Sequence, residues 1–127
     1  MIIRQEQMEA LRAYMRQSFE DRTVKHIAEV FPGEFRDLLD PGGSDRPVRE
    51  LIGNGIEKAS KYDIKAERNV TLFIDLMVGI SPDFDDRRDM PWASGFLEDR
   101  DIPEDSKMNL IYQRLQAEGR STTGQNA

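Results

Sequence analysis

Three groups of residues in this 127-residue chain have types and spacings on which chemistry could be built. The first is Asp83-Phe84-Asp85-Asp86-Arg87-Arg88-Asp89, whose carboxylates invite a metal reading. A calcium loop needs oxygen ligands at alternate positions, a glycine at its sixth and a glutamate at its twelfth. Counted from Asp83, the fifth residue is Arg87, the sixth Arg88 and the twelfth Ser94, so the pattern fails at each. A solvated acidic loop or a protein-contact surface is the stronger reading.

The second group is His26, the only histidine, with Asp75, an acid inside the most apolar stretch of the chain. Either could move a proton, but catalysis needs a nucleophile or acid brought from elsewhere, and no motif marks one. Helical spacing puts His26 in line with an apolar stripe, where a lone histidine is more often packed and hydrogen-bonded. Asp75 must lie on a polar strip or meet a base, because a buried unpaired carboxylate is costly. Arg68 shares its face two turns away, so a partner from another helix is the stronger reading. A structural ion pair outweighs a catalytic acid.

The third group, Gly53-Asn54-Gly55, resembles the start of a phosphate-binding glycine run. Such a run follows a strand and opens a helix. Here it lies inside a helical segment, where each glycine weakens the helix or lets a neighbouring helix approach closely. No catalytic, cofactor-binding or metal-binding residue is therefore assigned.

Charge gives a more specific pointer. Residues 83–105 hold nine acids and three bases, which equals the whole formal net charge of −6. Phe84, Trp92 and Phe96 lie inside that window. Apolar rings among carboxylates suit a surface that docks a basic partner. The candidate partner-binding residues are Asp83, Phe84, Asp85, Asp86, Asp89 and Trp92.

Composition narrows the class further. The chain has the length of one domain. It has no cysteine, which excludes disulfides and thiolate chemistry. A pI near 4.8 and the lack of a basic stripe argue against nucleic acid and against membrane-surface binding. No apolar run approaches the roughly 20 residues that cross a bilayer. The N-terminus lacks the pattern of a signal peptide, so the expected location is the cytoplasm.

The elements that must position these residues read as helices. Met8, Leu11, Met15 and Phe19 recur on one face, while Val24, Ile27 and Phe31 form a second stripe rotated by roughly 100° or more. That rotation predicts a bend near Arg22–Thr23 or two helices meeting there. The pairs Glu9/Arg12 and Arg16/Glu20 fit helix-surface ion pairs. Pro32-Gly33 ends the block, a short turn over 34–39 follows, and Asp40-Pro41-Gly42-Gly43-Ser44 is the clearest loop. A helix capped by Ser44 or Asp45 should run to about Lys61. Glu67–Ile80, apolar nearly all round, belongs in the middle of a bundle. Pro91–Leu97 fits a short helix, and Asp101-Ile102-Pro103-Glu104 reads as the start of a last helix reaching about Ala117. The expectation is an all-α orthogonal bundle of about four or five main helices with one or two short helical turns. It should occupy residues 1–118 as a single domain, followed by a disordered polar tail at 119–127. Six methionines and several aromatics would serve a homodimer interface as readily as a core.

One pattern extends over roughly residues 5–115. Gly55-Ile56, Tyr62-Asp63-Ile64, Glu67-Arg68-Asn69-Val70, Phe73-Ile74-Asp75-Leu76-Met77, Asp83-Phe84-Asp85 and Pro91-Trp92-Ala93 together resemble a group of small bacterial proteins. These are encoded beside type VI secretion effectors and their spike-tip and adaptor proteins. Asn69 stands where that pattern expects an aspartate. The resemblance carries no catalytic signature. It implies an adaptor or chaperone-like factor that helps load an effector, with a secreted effector or spike-tip protein as partner. Acidity and small size also suit an immunity protein that blocks a basic toxin. An enzyme would need His26, Asp75 or the 83–89 carboxylates to converge in one pocket.

Overall fold

The computed structural model describes residues 4–119. Apart from Gly119, the tail expected at 119–127 lies outside them. The described residues form an all-α helical bundle with no strand among them. The helices are α1 (Gln5–Val30), α2 (Pro32–Leu38), α3 (Arg46–Lys61), α4 (Glu67–Gly79), α5 (Pro91–Glu98) and α6 (Glu104–Ala117), with a 3₁₀ turn at Phe84–Asp86. Four are long and two short, as the periodicity predicts.

A single hydrophobic cluster joins them, built around Ile27, Phe31, Ile52, Phe73, Phe84, Leu97 and Ile111, each fully buried. α4 supplies Val70, Phe73, Ile74, Leu76 and Met77 and lies centrally, against α1, α3 and α6. Its all-round apolarity in the sequence has this cause. α3 meets it at Gly55, where a methyl group would stand 2.7 Å from Ile74 Cγ1 and 3.0 Å from Met77 Sδ. Gly55 thus lets α3 and α4 approach, the packing role that its place in a helix suggests.

The turn chemistry explains the boundaries. Phe31 ends α1, and Pro32 takes the first position of α2, where its missing N–H costs nothing. Asp40 Oδ1 accepts from the amides of Gly42 (2.9 Å) and Ser44 (2.8 Å), closing the loop before α3. Ser44 Oγ then accepts from the Arg46 amide at 3.1 Å. At the other end of α3, the Ile64 amide reaches Ala59 O (2.9 Å) and that of Asp63 reaches Ser60 O (3.0 Å), with Asp63 at φ 60°. This is a Schellman ending with aspartate in the left-handed place that glycine usually takes.

Two expectations about helix ends are corrected. α1 is one continuous helix of 26 residues and does not divide near Arg22–Thr23. α6 begins at Glu104, so Asp101 does not cap it. Glu104 instead works across the fold. Its carboxylate accepts from the Ala66 amide (2.9 Å) and from Asn69 Nδ2 (2.9 Å), capping α4. Asn69 Nδ2 also donates to Asp105 Oδ1 at 2.6 Å. These bonds, led by the one from Asn69, hold the Glu104 carboxyl below the usual range.

The surface pairs of α1 also differ from expectation. Glu20 accepts from Arg49 of α3 (2.9 Å), not Arg16, and Glu9 accepts from Gln5. Arg49 further reaches Asp21 (2.8 Å) and Asp45 (3.2 Å), tying α1 to the start of α3. The Arg49 guanidinium lowers the pKa of Asp21.

Candidate protein-docking surface

The six residues expected to dock a partner divide into an inner and an outer set. Phe84 is fully buried and meets Phe73 edge to face, with ring centroids 4.9 Å apart. Asp85 is only 7% exposed. It accepts from Tyr62 Oη at 2.8 Å and from Lys58 Nζ at 3.2 Å, while Lys58 also donates to Pro82 O at 2.9 Å. Burial, and then the bond to Asp85, raise the pKa of the Tyr62 phenol. Phe84 and Asp85 therefore fasten the acidic segment to the core and are removed from the docking set. The reason is tertiary: the 3₁₀ turn points its ring inward, and Lys58 of α3 with Tyr62 just after it supplies the donors that a carboxylate there requires.

The outer set is less uniform than the sequence suggests. Asp83, Asp86 and Asp89 are exposed. Ser81 Oγ donates to Asp83 at 2.7 Å, and Arg87 grips Asp89 through two bonds of 2.8 Å. Trp92 is half-buried on α5, beside Phe96 and under the Arg114 guanidinium at 5.3 Å. Carboxylates remain on this surface, but the ring meant to anchor a partner among them is partly covered by Phe96 and Arg114.

A different surface has the apolar exposure. From Arg4 to Gln17 every side chain except Met8 is exposed among the described residues, so the first three turns of α1 present mostly solvent-facing side chains. Twelve residues of helix, Gln5–Arg16, extend roughly 18 Å at about 1.5 Å per residue. The large hydrophobic side chains exposed among the described residues are Leu11 (47%), Tyr14 (71%) and Met15 (53%), all on this stretch. Within the bundle α1 buries Phe19, Thr23 and Ile27. α1 stays continuous, one stripe enters the core, and most of the other is left in solvent.

His26 and Asp75 do meet. Asp75, on α4, lies with Oδ1 and Oδ2 at 2.8 and 3.1 Å from His26 Nε2, on α1. The histidine is about one-third exposed and the carboxylate mostly covered. Burial raises the pKa of Asp75, opposed by the histidine. This is the cross-helix base that Asp75 requires. An aspartate holding one imidazole nitrogen could orient a general base. Among the described residues, no serine or second acid is hydrogen-bonded to the pair. The geometry is that of a hydrogen-bonded pair joining two helices.

Lys107 went unnoticed in the sequence because a lysine on a helix is expected in water. It is buried, and Nζ donates to Tyr62 O at 2.9 Å and Leu97 O at 2.8 Å. These carbonyls end α3 and α5, where the helix dipoles are negative, so a cation there is stabilised by two helix termini. Among the described residues, no three His, Asp or Glu side chains are grouped to hold a metal ion. No described helix is long and apolar enough to cross a membrane. Comparison with protein-family models, with curated proteins and with solved structures gives no match to this chain.

Proposed function

We propose that this chain is a non-enzymatic protein-binding module that docks through the projecting half of α1. The observation that carries the reading is the exposure of Leu11, Tyr14 and Met15 together on one stretch of helix. With Met8 they lie at steps of three and four residues, the spacing by which an amphipathic helix fills a partner's groove. Rigid helical anchors also lose little conformational freedom on binding. The exposed Asp83, Asp86 and Asp89 would add long-range attraction for a basic partner, acting mainly on encounter rate.

The resemblance to proteins encoded beside type VI secretion effectors gives this module its finer role. It would serve in the cytoplasm as an adaptor or chaperone-like accessory factor, with an effector or spike-tip protein as partner. The test is a pull-down of the effector encoded beside this chain. Leu11→Asp with Met15→Asp should abolish capture, whereas the triple change of Asp83, Asp86 and Asp89 to lysine should slow it and reduce its salt dependence. Undiminished capture by the α1 variant would reject this docking surface. Co-expression separates the alternative role: an immunity protein rescues cells from the toxin, and a loading factor is required for its export.

A further inference from the structure

The stripe of α1 that carries the exposed Leu11 and Met15 continues in both directions at helical spacing. Arg4, Met8, Leu11, Met15, Arg22 and Lys25 follow one another at steps of three, four and seven residues, which keeps them on one face. Arg12, four residues after Met8 and three before Met15, stands at its edge. Arg4, Arg12, Arg22 and Lys25 are all exposed, so they surround the apolar centre with positive charge.

The acids of the same helix lie elsewhere or are engaged. Glu6 and Glu9 stand roughly 140° and 160° around the helix from Leu11, at about 100° per residue. Glu20 and Asp21 are both held by Arg49, at 2.9 and 2.8 Å, and Glu29 comes a turn beyond Lys25. Arg22 reaches Glu67 of α4 at 3.2 Å, but both side chains are more than half exposed and such a pair is weak. Arg12 and Lys25 have no ion pair or side-chain hydrogen bond among the described residues.

A face that is apolar in the middle and basic around it complements an apolar groove with carboxylates on its rim. A partner without those acids would cover Arg12 and Lys25 with no counter-charge, which is costly. Nucleic acid and anionic lipid also attract bases, but each is a polyanion and repels a chain of net charge −6 as a whole.

We infer that α1 docks into an apolar groove of a partner protein whose rim carries aspartate or glutamate. The inference rests on the α1 docking surface proposed above and adds the sign of the charge it meets. That sign is opposite to the one that the exposed Asp83, Asp86 and Asp89 attract, so the partner is acidic at this groove whatever its charge elsewhere.

The test is capture of the effector encoded beside this chain, followed by zero-length carbodiimide coupling, which joins an amine only to a carboxylate in contact with it. Arg12→Lys keeps the charge and supplies an amine. Lys25, and residue 12 in that variant, should cross-link to aspartate or glutamate of the captured protein. Arg12→Glu with Lys25→Glu should weaken capture about tenfold at low salt, the equivalent of about 1.4 kcal/mol. Added salt should shrink that loss. Both positions are exposed, so the melting temperature should equal that of the parent. Full capture by the charge-reversed chain, or a captured protein that cross-links at neither position, would overturn the acidic rim. Loss of capture in Leu11→Asp with Met15→Asp would still uphold the docking surface. Undiminished capture by that apolar variant, or no capture by the parent, would overturn both. Tighter binding of the parent to phosphatidylglycerol vesicles or to single-stranded DNA than to the effector would assign the bases to a polyanion and overturn the inference.

Discussion

Gly55 and Ile74 approach so closely that α3 has no room for a side chain at position 55, where a Cβ would stand 2.7 Å from Ile74 Cγ1. Gly53, two residues earlier, has only the Arg16 guanidinium near the place of a Cβ, at 3.9 Å. The two glycines of one motif should respond in opposite directions to the same change. Gly55→Ala should destabilise by about 1–3 kcal/mol through overpacking. Gly53→Ala should stabilise by about 0.5–1 kcal/mol through helix propensity. Urea unfolding midpoints of both variants check the pair.

The two ends of α1 should differ as sharply. Phe19→Ala removes a core ring and should cost about 3–5 kcal/mol. Leu11→Ala and Met15→Ala remove exposed side chains, and each should stay within about 0.5 kcal/mol of the parent. A larger loss at Leu11 in thermal unfolding would mean that this face is covered in the isolated protein.

Asn69 and Glu104 set an acid limit on stability. Because the native pKa of Glu104 is depressed, its contribution is fully present above its ordinary value near 4.5. It is lost as pH falls through the native value. Glu104→Gln should flatten that part of the stability profile. Asn69→Asp would place a third carboxylate against Glu104 and Asp105. Like charges raise carboxylate pKa values, so the variant's deficit should be larger at pH 7 than at pH 4. Melting temperatures across that range check both statements.

His26→Ala leaves the Asp75 carboxylate covered and without its partner, and should cost about 1–3 kcal/mol. Asp75→Asn should cost less, since it removes the charge along with its need. A double-mutant cycle that finds no coupling would show that the pair is not energetically linked.

Lys107→Met should destabilise by about 1–3 kcal/mol, because the carbonyls of Tyr62 and Leu97 lose their shared donor. The ends of α3 and α5 should exchange amide hydrogen faster in this variant. Unchanged protection there would sink the assignment.

Much of the architecture was legible because it is local. Four long helices, two short ones and the Asp40–Ser44 loop follow from apolar spacing and from the placement of proline and glycine. What escaped the sequence is pairing between distant positions. Asp75 advertises the need for a base, yet nothing near it names His26, 49 residues away. Glu104 satisfies a capping pattern for its own helix but spends its carboxylate on α4, 35 residues from Asn69. Phe84 reads as a ring in a charged loop until Phe73 shows where it goes. The outward stripe of α1 left a trace, since its rotation away from the second stripe is written in the spacing. That α1 stays continuous and leaves Leu11, Tyr14 and Met15 exposed depends on where the other helices pack, which local spacing does not record.

The residues of α1 that keep the bundle folded begin at Phe19, and the bare apolar ones end at Met15. Foldedness and recognition therefore draw on different letters of one helix. A lineage could exchange Leu11, Tyr14 or Met15 to follow a drifting partner, and the rest of the molecule would not register the change.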